Sequence, residues 1–94
     1  MSVTEEDVLN AASSQVQGVL EHNGFSNIDI QMTPITFLGE THTAMCLKAT
    51  AGGQTVYERE VVTISNGYLA AYTASAIGGN DTTQEILDQV EYIN

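Results

Sequence analysis

The pair Asn66-Gly67 constrains the fold more than any other feature of this chain. It separates two apolar-rich runs in the segment YEREVVTISNGYLAAYTASAIGG, residues 57–79. Asn-Gly is the strongest short signal for a β-hairpin, because a type I′ turn needs a positive φ at both central positions. The sequence therefore predicts two long antiparallel strands, residues 55–65 and 68–76, joined by a tight turn.

Pairing across this turn fixes which side chains share a face of the hairpin, since successive residues of a strand point to opposite faces. One face is expected to carry Ile64, Leu69, Val62 and Ala71, followed by Glu60, Thr73, Glu58 and Ser75. The other is expected to carry Val61, Tyr72, Arg59, Ala74, Tyr57 and Ala76. Neither face is purely polar, so we expect protein to cover both sides of the sheet.

Two further strands are predicted ahead of this hairpin. Ile28, Ile30 and Met32 alternate with polar residues, and the run resumes at residues 35–38 after an interruption at Pro34. A proline is tolerated at a sheet edge or a bulge, but not in a central strand. LGET and AGGQ supply the turns on either side of a second strand, residues 41–50. Turns this short imply an antiparallel meander.

A helix is predicted at each end of the chain. Thr4 and Asp7 form a variant capping box for the first helix, which ends at Asn23-Gly24. Its apolar stripe consists of Val8, Ala12, Val16, Val19 and Leu20. After IGGND, Thr82 and Glu85 are expected to form a second capping box. The inner face of the closing helix is predicted to hold Ile86, Leu87, Val90 and Ile93.

The whole chain, residues 1–94, is therefore predicted to be a single α+β domain. Its order is α-β-β-β-β-α, with a four-stranded antiparallel β-meander flanked by an N-terminal and a C-terminal helix. A layered α/β/α sandwich is the preferred arrangement. The sequence leaves open whether the two helices cover the same face of the sheet or opposite faces.

The charge balance excludes several classes of partner. Twelve Asp and Glu residues stand against two Lys and Arg, which gives a formal net charge of −10. Nucleic-acid binding needs clustered Lys and Arg, and anionic membranes repel the same sign of charge. Solubility accounts for the acidity. The alternative is a small acidic cytosolic inhibitor, or nucleic-acid mimic, that occupies a basic protein surface.

The polar residues form no set that indicates catalysis or a cofactor. Glu40 and His42, with His22, lack a metal-binding spacing. Glu58 and Glu60 share a strand face, but paired carboxylates need a cleft that separates their pKa values. Cys46 shares a face with His42 and has no visible activating group. We therefore expect no catalytic residue, no cofactor and no metal.

Two segments resemble PsbP-like domains. TFLGETHTAMCLKATAGGQTVYEREVVTISNGYLAAYTASA, with DTTQEILDQVEYI after it, is similar to their C-terminal part. VLNAASSQVQGVLEHNGFSNIDI resembles the lead-in of small bacterial lipoproteins with that fold. The resemblance implies an α/β/α sandwich and a non-enzymatic assembly or interaction role, like that of extrinsic photosystem subunits and a Ran-binding transport factor.

The same resemblance implies an extracytoplasmic, exported or lipid-anchored origin, with this chain as a fragment of a larger protein. The chain lacks the family's N-terminal strands, leader and lipid-bearing cysteine, so no binding residue is carried over. Cys46 is the only cysteine and does not identify a compartment. A cytosolic protein stays open as the alternative.

The function expected from these features is that of a non-enzymatic binding or accessory module. Partner docking is expected at the fourth strand, which would be an edge of the meander and has no charge, proline or glycine to protect it. The candidate occupants are the missing N-terminal strands, another protein, or a second copy of the chain in a homodimer; alternatively, the IGGND connection folds back over the edge. The candidate docking residues are Tyr68, Leu69, Ala70, Ala71, Tyr72, Thr73, Ala74, Ser75 and Ala76.

Overall fold

A computed structural model describes residues 3–91 of the chain. It contains a helix, four strands and a short second helix: α1 Glu5–His22, β1 Ser26–Phe37, β2 Glu40–Ala51, β3 Gln54–Ser65, β4 Tyr68–Ile77 and α2 Thr83–Leu87. The strands form one antiparallel sheet in the order β1-β2-β3-β4. The predicted α-β-β-β-β-α meander is confirmed, and β1 and β4 are its edges.

Each hairpin turns through two residues with positive φ, as type I′ turns require. In the β3–β4 turn, φ is 52° at Asn66 and 79° at Gly67. Gly52 and Gly53 join β2 to β3 with φ values of 58° and 80°. Leu38 takes a φ of 52° before Gly39 in the β1–β2 turn, a conformation that side chains other than Asn and Asp rarely adopt. These turns hold neighbouring strands in register.

Two glycine-to-alanine changes are expected to shift stability in opposite directions. Gly67→Ala forces a Cβ into the left-handed region and should lower the free energy of unfolding by about 1 kcal/mol. Gly18 lies inside α1 with nothing within 4 Å of an added Cβ, so Gly18→Ala should raise it by about 0.5–1 kcal/mol. Urea denaturation of both variants measures this. Equal shifts of the same sign would contradict the turn assignment.

Helix α1 begins at the predicted capping box. Thr4 N–H donates to Asp7 Oδ2 at 3.0 Å, and Asp7 N–H donates to Thr4 Oγ1 at 3.1 Å. Hydrogen bonding of the Asp7 carboxylate by the Thr4 backbone N–H, and then by the Thr4 side chain, holds the pKa of Asp7 below its ordinary value. The capping prediction is confirmed, and so is the left-handed Gly24 after the helix, at a φ of 87°.

The buried stripe of α1 differs from the predicted one. Leu9, which the predicted stripe omits, is 0% exposed and packs with Met45 and Val62, whereas Val19 is 53% exposed. At 100° per residue, Val19 lies about 80° around the helix axis from Leu9, at the flank of the buried stripe. Val8, Val16 and Ile30 complete this cluster as partly buried neighbours.

The two helices cover opposite faces of the sheet. Leu87 of α2 is buried with Ile35, Phe37, Ala44, Val61 and Ala74, while α1 packs on Met45 and Val62. Met45 and Ala44 are consecutive and therefore point to opposite faces. The registers of β2–β3 and β3–β4 extend these faces across the sheet, and the face assignments predicted for the last hairpin are confirmed. The result is a three-layer α/β/α sandwich.

Helix α2 begins differently from the prediction. Thr82 is the N-cap but makes no side-chain capping hydrogen bond, so the predicted Thr82–Glu85 capping box is wrong. The carboxylate of Asp81, one residue earlier, instead accepts hydrogen bonds from the backbone N–H and the hydroxyl of Thr83. Asp81 is held in place by Arg59, so a contact distant in sequence decides which side chain caps the helix.

The inner face of α2 is smaller than predicted. Leu87 is 3% exposed and Val90 packs against the same cluster, as expected, but Ile86 is 41% exposed. The helix has five residues, and the Val90 N–H donates to the Leu87 carbonyl in a tighter i→i+3 turn. This tightening breaks the 3.6-residue period that placed Ile86 inside. Ile93 lies outside the described residues.

Candidate functional site

The two edges of the sheet differ in what they offer to another strand. Beside a two-residue hairpin turn, the flanking residues exchange both backbone hydrogen bonds, and bonding then alternates along the strand. Ser65 pairs with Tyr68 next to the β3–β4 turn. Inward-bonded residues of β4 are therefore even-numbered. The backbone N–H and C=O groups that point away from β3 belong to Leu69, Ala71, Thr73, Ser75 and Ile77.

Edge β1 is protected against a further strand. Phe37 pairs with Glu40 beside the turn, so the same alternation makes Pro34 an outward-facing position. The proline removes a donor from the free edge without breaking the ladder to β2, and the strand continues through it, paired to Thr43. The register also shifts between Ser26 and Asp29, with Asn27 at a φ of 52°. An interrupted edge of this kind resists strand addition.

Edge β4 has none of these protections. Its ten residues, Tyr68–Ile77, include no charged residue, proline or glycine. The strand is one residue longer than predicted. Within residues 3–91, no backbone hydrogen bond engages its outward groups. Leu69 is 51% exposed and Ile77 is 69% exposed. Both side chains lie on the α1 face, but α1 packs over β1, β2 and β3.

The nine candidate docking residues divide into two sets. Leu69, Ala71, Thr73 and Ser75 present outward backbone groups to solvent. Tyr68, Ala70, Tyr72, Ala74 and Ala76 bond inward to β3. Two of the second set belong to the α2-side core: Ala74 is buried, and the Tyr72 ring packs against Phe37 at a tilt of 52° with ring centroids 4.8 Å apart. The first set is therefore the part of β4 that another chain can reach.

The connection after β4 runs over the face of the sheet and away from its edge. Gly78 N–H donates to the Thr55 carbonyl of β3 at 2.7 Å. Beyond it, Asp81 is drawn toward Arg59 of β3. The expectation that IGGND folds back over the β4 edge is therefore not met by the described residues.

Arg59 fixes α2 to the sheet. Its Nε donates to Thr83 Oγ1 at 3.1 Å, its Nη1 to Gln84 Oε1 at 3.0 Å, and its Nη2 lies 3.5 Å from Asp81 Oδ2. The side chain is 17% exposed. The sequence indicated only that Arg59 points away from Glu58 and Glu60, which the register confirms. Its partners were missed, although a lone arginine on a largely apolar strand face is a usable signal.

The ionised state of Asp81 supports this attachment. Burial raises the pKa of this carboxyl, but hydrogen bonds from Thr83 and the charge of Arg59 outweigh burial and hold the pKa below its ordinary value. A lowered folded-state pKa contributes stability that is present above the unfolded value and is lost as pH falls through the folded value. The attachment of α2 is therefore complete at neutral pH and weakens only in acid.

Glu58 and Glu60 lie beside the free edge, on the α1 face. Their Cα partners in β4 are Ser75 and Thr73, and Glu60 Oε1 accepts a hydrogen bond from the Thr73 hydroxyl at 3.1 Å. Burial, and then the neighbouring charge of Glu60, raise the pKa of Glu58. The two glutamates belong to β3, one strand behind the edge, and the Glu60 carboxylate reaches across to β4, which has no charged residue of its own.

His42 contacts the first residue of α1 and lies far from His22. His42 Nδ1 lies 2.7 Å from Glu5 Oε1, and its Nε2 lies 3.8 Å from Glu40 Oε2. His22 is at the other end of α1, roughly 25 Å along the helix from Glu5. Among residues 3–91, no three His, Cys, Asp or Glu side chains stand close enough to hold a metal ion. The candidate Glu40–His42–His22 set is not brought together.

Cys46 lies on the same face as His42 but four residues further along β2, a separation of about 13 Å. It is partly buried against the α2-side core and lines a shallow groove of about 150 Å³ with Lys48 and Tyr57. The two side chains are too far apart to act as a nucleophile and its base.

Comparison with known proteins gives no relative for this chain. No family model matches the sequence, and no curated protein or solved structure matches it either. Neither of the two helices within the described residues has the length and apolar character needed to cross a membrane.

Proposed function

We propose that this chain is a non-enzymatic binding module that receives an added β-strand along the free edge of β4. The observation that carries the proposal is the difference between the two edges. Pro34 and the register shift interrupt the outward row of backbone groups along β1, whereas β4 keeps an unbroken and uncharged row of five outward residues. Natural sheets protect exposed edges. When one edge of a sheet is protected and the opposite edge keeps all its outward backbone groups free, a partner strand is the best explanation.

Backbone groups would supply most of the attraction at this site. Each outward residue of β4 offers one donor and one acceptor, and an added antiparallel strand pairs with them in alternation. Main-chain hydrogen bonds of this kind give affinity in strand addition, while side chains on alternate positions give specificity. Leu69 and Ile77, both exposed on the α1 face, are the apolar contacts available to the incoming strand.

The resemblance to PsbP-like domains agrees with this role, because that family implies assembly or interaction factors without catalysis. An exported or lipid-anchored bacterial origin is part of the same proposal. The absence of a turnover function is tested by a screen with hydrolase, transferase and redox substrates. Robust activity that a single substitution abolishes would overturn the non-enzymatic assignment.

Amide exchange with a strand-forming probe tests the edge itself. In dilute protein, the amides of Leu69, Ala71, Thr73, Ser75 and Ile77 should exchange quickly, and those of their inward-bonded neighbours slowly. Adding a synthetic Lys-(Thr-Val)4-Lys peptide should slow the first set. The protection should persist at high salt, because backbone hydrogen bonds are screened less than contacts between charges. An inhibitor that binds through charge would instead release its partner at high salt.

Two proline variants form the matched comparison. Thr73→Pro removes an outward donor of β4, and Thr36→Pro does the same on the already interrupted edge β1. Peptide protection should be lost in the first variant and kept in the second. Ser75→Pro removes a different β4 donor and replaces the first variant if that does not fold. Equal protection in the β4 and β1 variants, or outward amides already protected in dilute wild-type protein, would overturn the proposal.

A further inference from the structure

We infer that the strand added to β4 is the β4 of a second copy of this chain, paired antiparallel about a two-fold axis at Thr73. This inference rests on the proposed function, since it names the partner for the same edge. An isologous contact requires that the surface be complementary to itself. The order of side chains along β4 meets that requirement.

The register follows from the exposed apolar side chains. With the axis at Thr73, Leu69 of one copy lies opposite Ile77 of the other, at both ends of the contact. These residues are 51% and 69% exposed in the single chain. Ala71 then faces Ser75, Thr73 faces its own copy, and all five outward residues are paired. Aliphatic cross-strand pairs and Thr–Thr pairs both stabilise antiparallel sheets.

Neighbouring registers are poorer. Moving the axis to Tyr72 places Leu69 opposite Ser75 and Ile77 opposite Gly67, inside the hairpin turn. Moving it to Ala74 places Leu69 opposite Gly79, beyond the end of the strand. Only the axis at Thr73 covers both exposed side chains and keeps every pair within Tyr68–Ile77. On the α2 face, the same axis sets the large Tyr72 against the small Ala74.

The charge distribution permits two copies of a chain with net charge −10 to meet here. β4 carries no charge, and the nearest carboxylates, Glu58 and Glu60, lie one strand behind it. Across the contact, the Cα atoms of the two copies of Glu60 would be three strand spacings apart, about 14 Å. Each Glu60 carboxylate reaches toward the axis as far as the Thr73 hydroxyl, 3.1 Å from it, so the two charges are closer than the Cα atoms and repel each other. Salt screens this repulsion, with a Debye length of about 8 Å at physiological ionic strength, so association should tighten as salt rises, opposite to binding at a basic surface.

The size of the contact sets the strength to expect. Ten residues at about 3.3 Å per residue give an edge of roughly 33 Å, with about ten backbone hydrogen bonds from five outward residues on each side. A single strand–strand contact buries less than the roughly 1,000 Å² typical of stable complexes. The dimer is therefore reversible, and its population rises with protein concentration.

Disulfide trapping tests both the partner and the register. Against a Cys46→Ala background, Thr73→Cys places two thiols opposite each other at a Cα separation of about 5.5 Å, which suits a disulfide. Ala71→Cys alone places its two thiols about 13 Å apart along the strands, and Ser75→Cys does the same. Mild oxidation should cross-link Thr73→Cys with itself. The other two should cross-link only when mixed, because Ala71 faces Ser75.

Sedimentation of the wild-type chain over a range of concentrations and salt supplies the second measurement. The dissociation constant of the dimer should be about tenfold higher or more in Thr73→Pro and unchanged in Thr36→Pro. For the wild-type chain it should fall as salt rises. A monomer at every concentration, or self-cross-linking of Ala71→Cys in place of Thr73→Cys, would overturn the inference. Binding of the Thr-Val peptide would still support strand addition in that case. If the chain neither associates with itself nor binds the peptide, the proposed function is overturned as well.

Discussion

Truncation of Leu9 to alanine is expected to lower the free energy of unfolding by about 2–5 kcal/mol. Leu9 is 0% exposed and packs with Met45 and Val62, the two buried sheet residues beneath α1. Removing its side chain leaves a cavity between the helix and the sheet, because the surrounding structure relaxes only partly into the space. Urea denaturation followed by circular dichroism measures the change.

Val19→Ala is the matched control in the same helix. Val19 is 53% exposed, so its truncation should change the free energy of unfolding by no more than about 0.5 kcal/mol. The pair distinguishes the observed buried stripe from the predicted one, which included Val19 and omitted Leu9. A cost at Val19 equal to that at Leu9 would show that α1 sits on the sheet in a different rotation.

Replacement of Arg59 by alanine is expected to cost about 2–4 kcal/mol and to detach α2. The change removes donors from Thr83, Gln84 and Asp81 together, and Thr83 is fully buried. A hydrogen bond to a charged group contributes about 1.5–3 kcal/mol to stability, and the exposed contact with Asp81 contributes less. Loss of the buried stem of the arginine adds to the cost. Thermal denaturation and amide exchange of residues 83–90 measure the two effects.

Two controls accompany this change. Lys48→Ala removes the only other residue of the Lys or Arg type in the sequence, which is exposed, and should cost under about 0.5 kcal/mol. Arg59→Lys keeps the charge but cannot reproduce the fork of donors, so it should fall between wild type and Arg59→Ala. If Arg59→Ala left the exchange of α2 amides unchanged, the attachment of α2 would not depend on this side chain.

The exposed edge of β4 results both from local sequence signals and from tertiary contacts. The meander and its two end strands follow from short turns and alternating residues, so β1 and β4 could be predicted as edges. Whether the connection after β4 covers that edge could not be predicted, because its path depends on the contact between Arg59 and Asp81, which are distant in sequence. The outward set of backbone groups likewise follows once the two-residue turn is known.

Local signals in the sequence determined the strand order, the three turns, the Thr4–Asp7 capping box and the two faces of the last hairpin. Each depends on residues that are close in the chain, where a positive φ or a period of two leaves few alternatives. Only the tertiary structure decided the rotation of α1 that buries Leu9, the placement of the helices on opposite faces, and the use of the Asp81 carboxylate at the start of α2. Those features depend on contacts between residues more than twenty positions apart. Burial at such contacts outweighs the weak preferences of a single amphipathic stripe or capping motif.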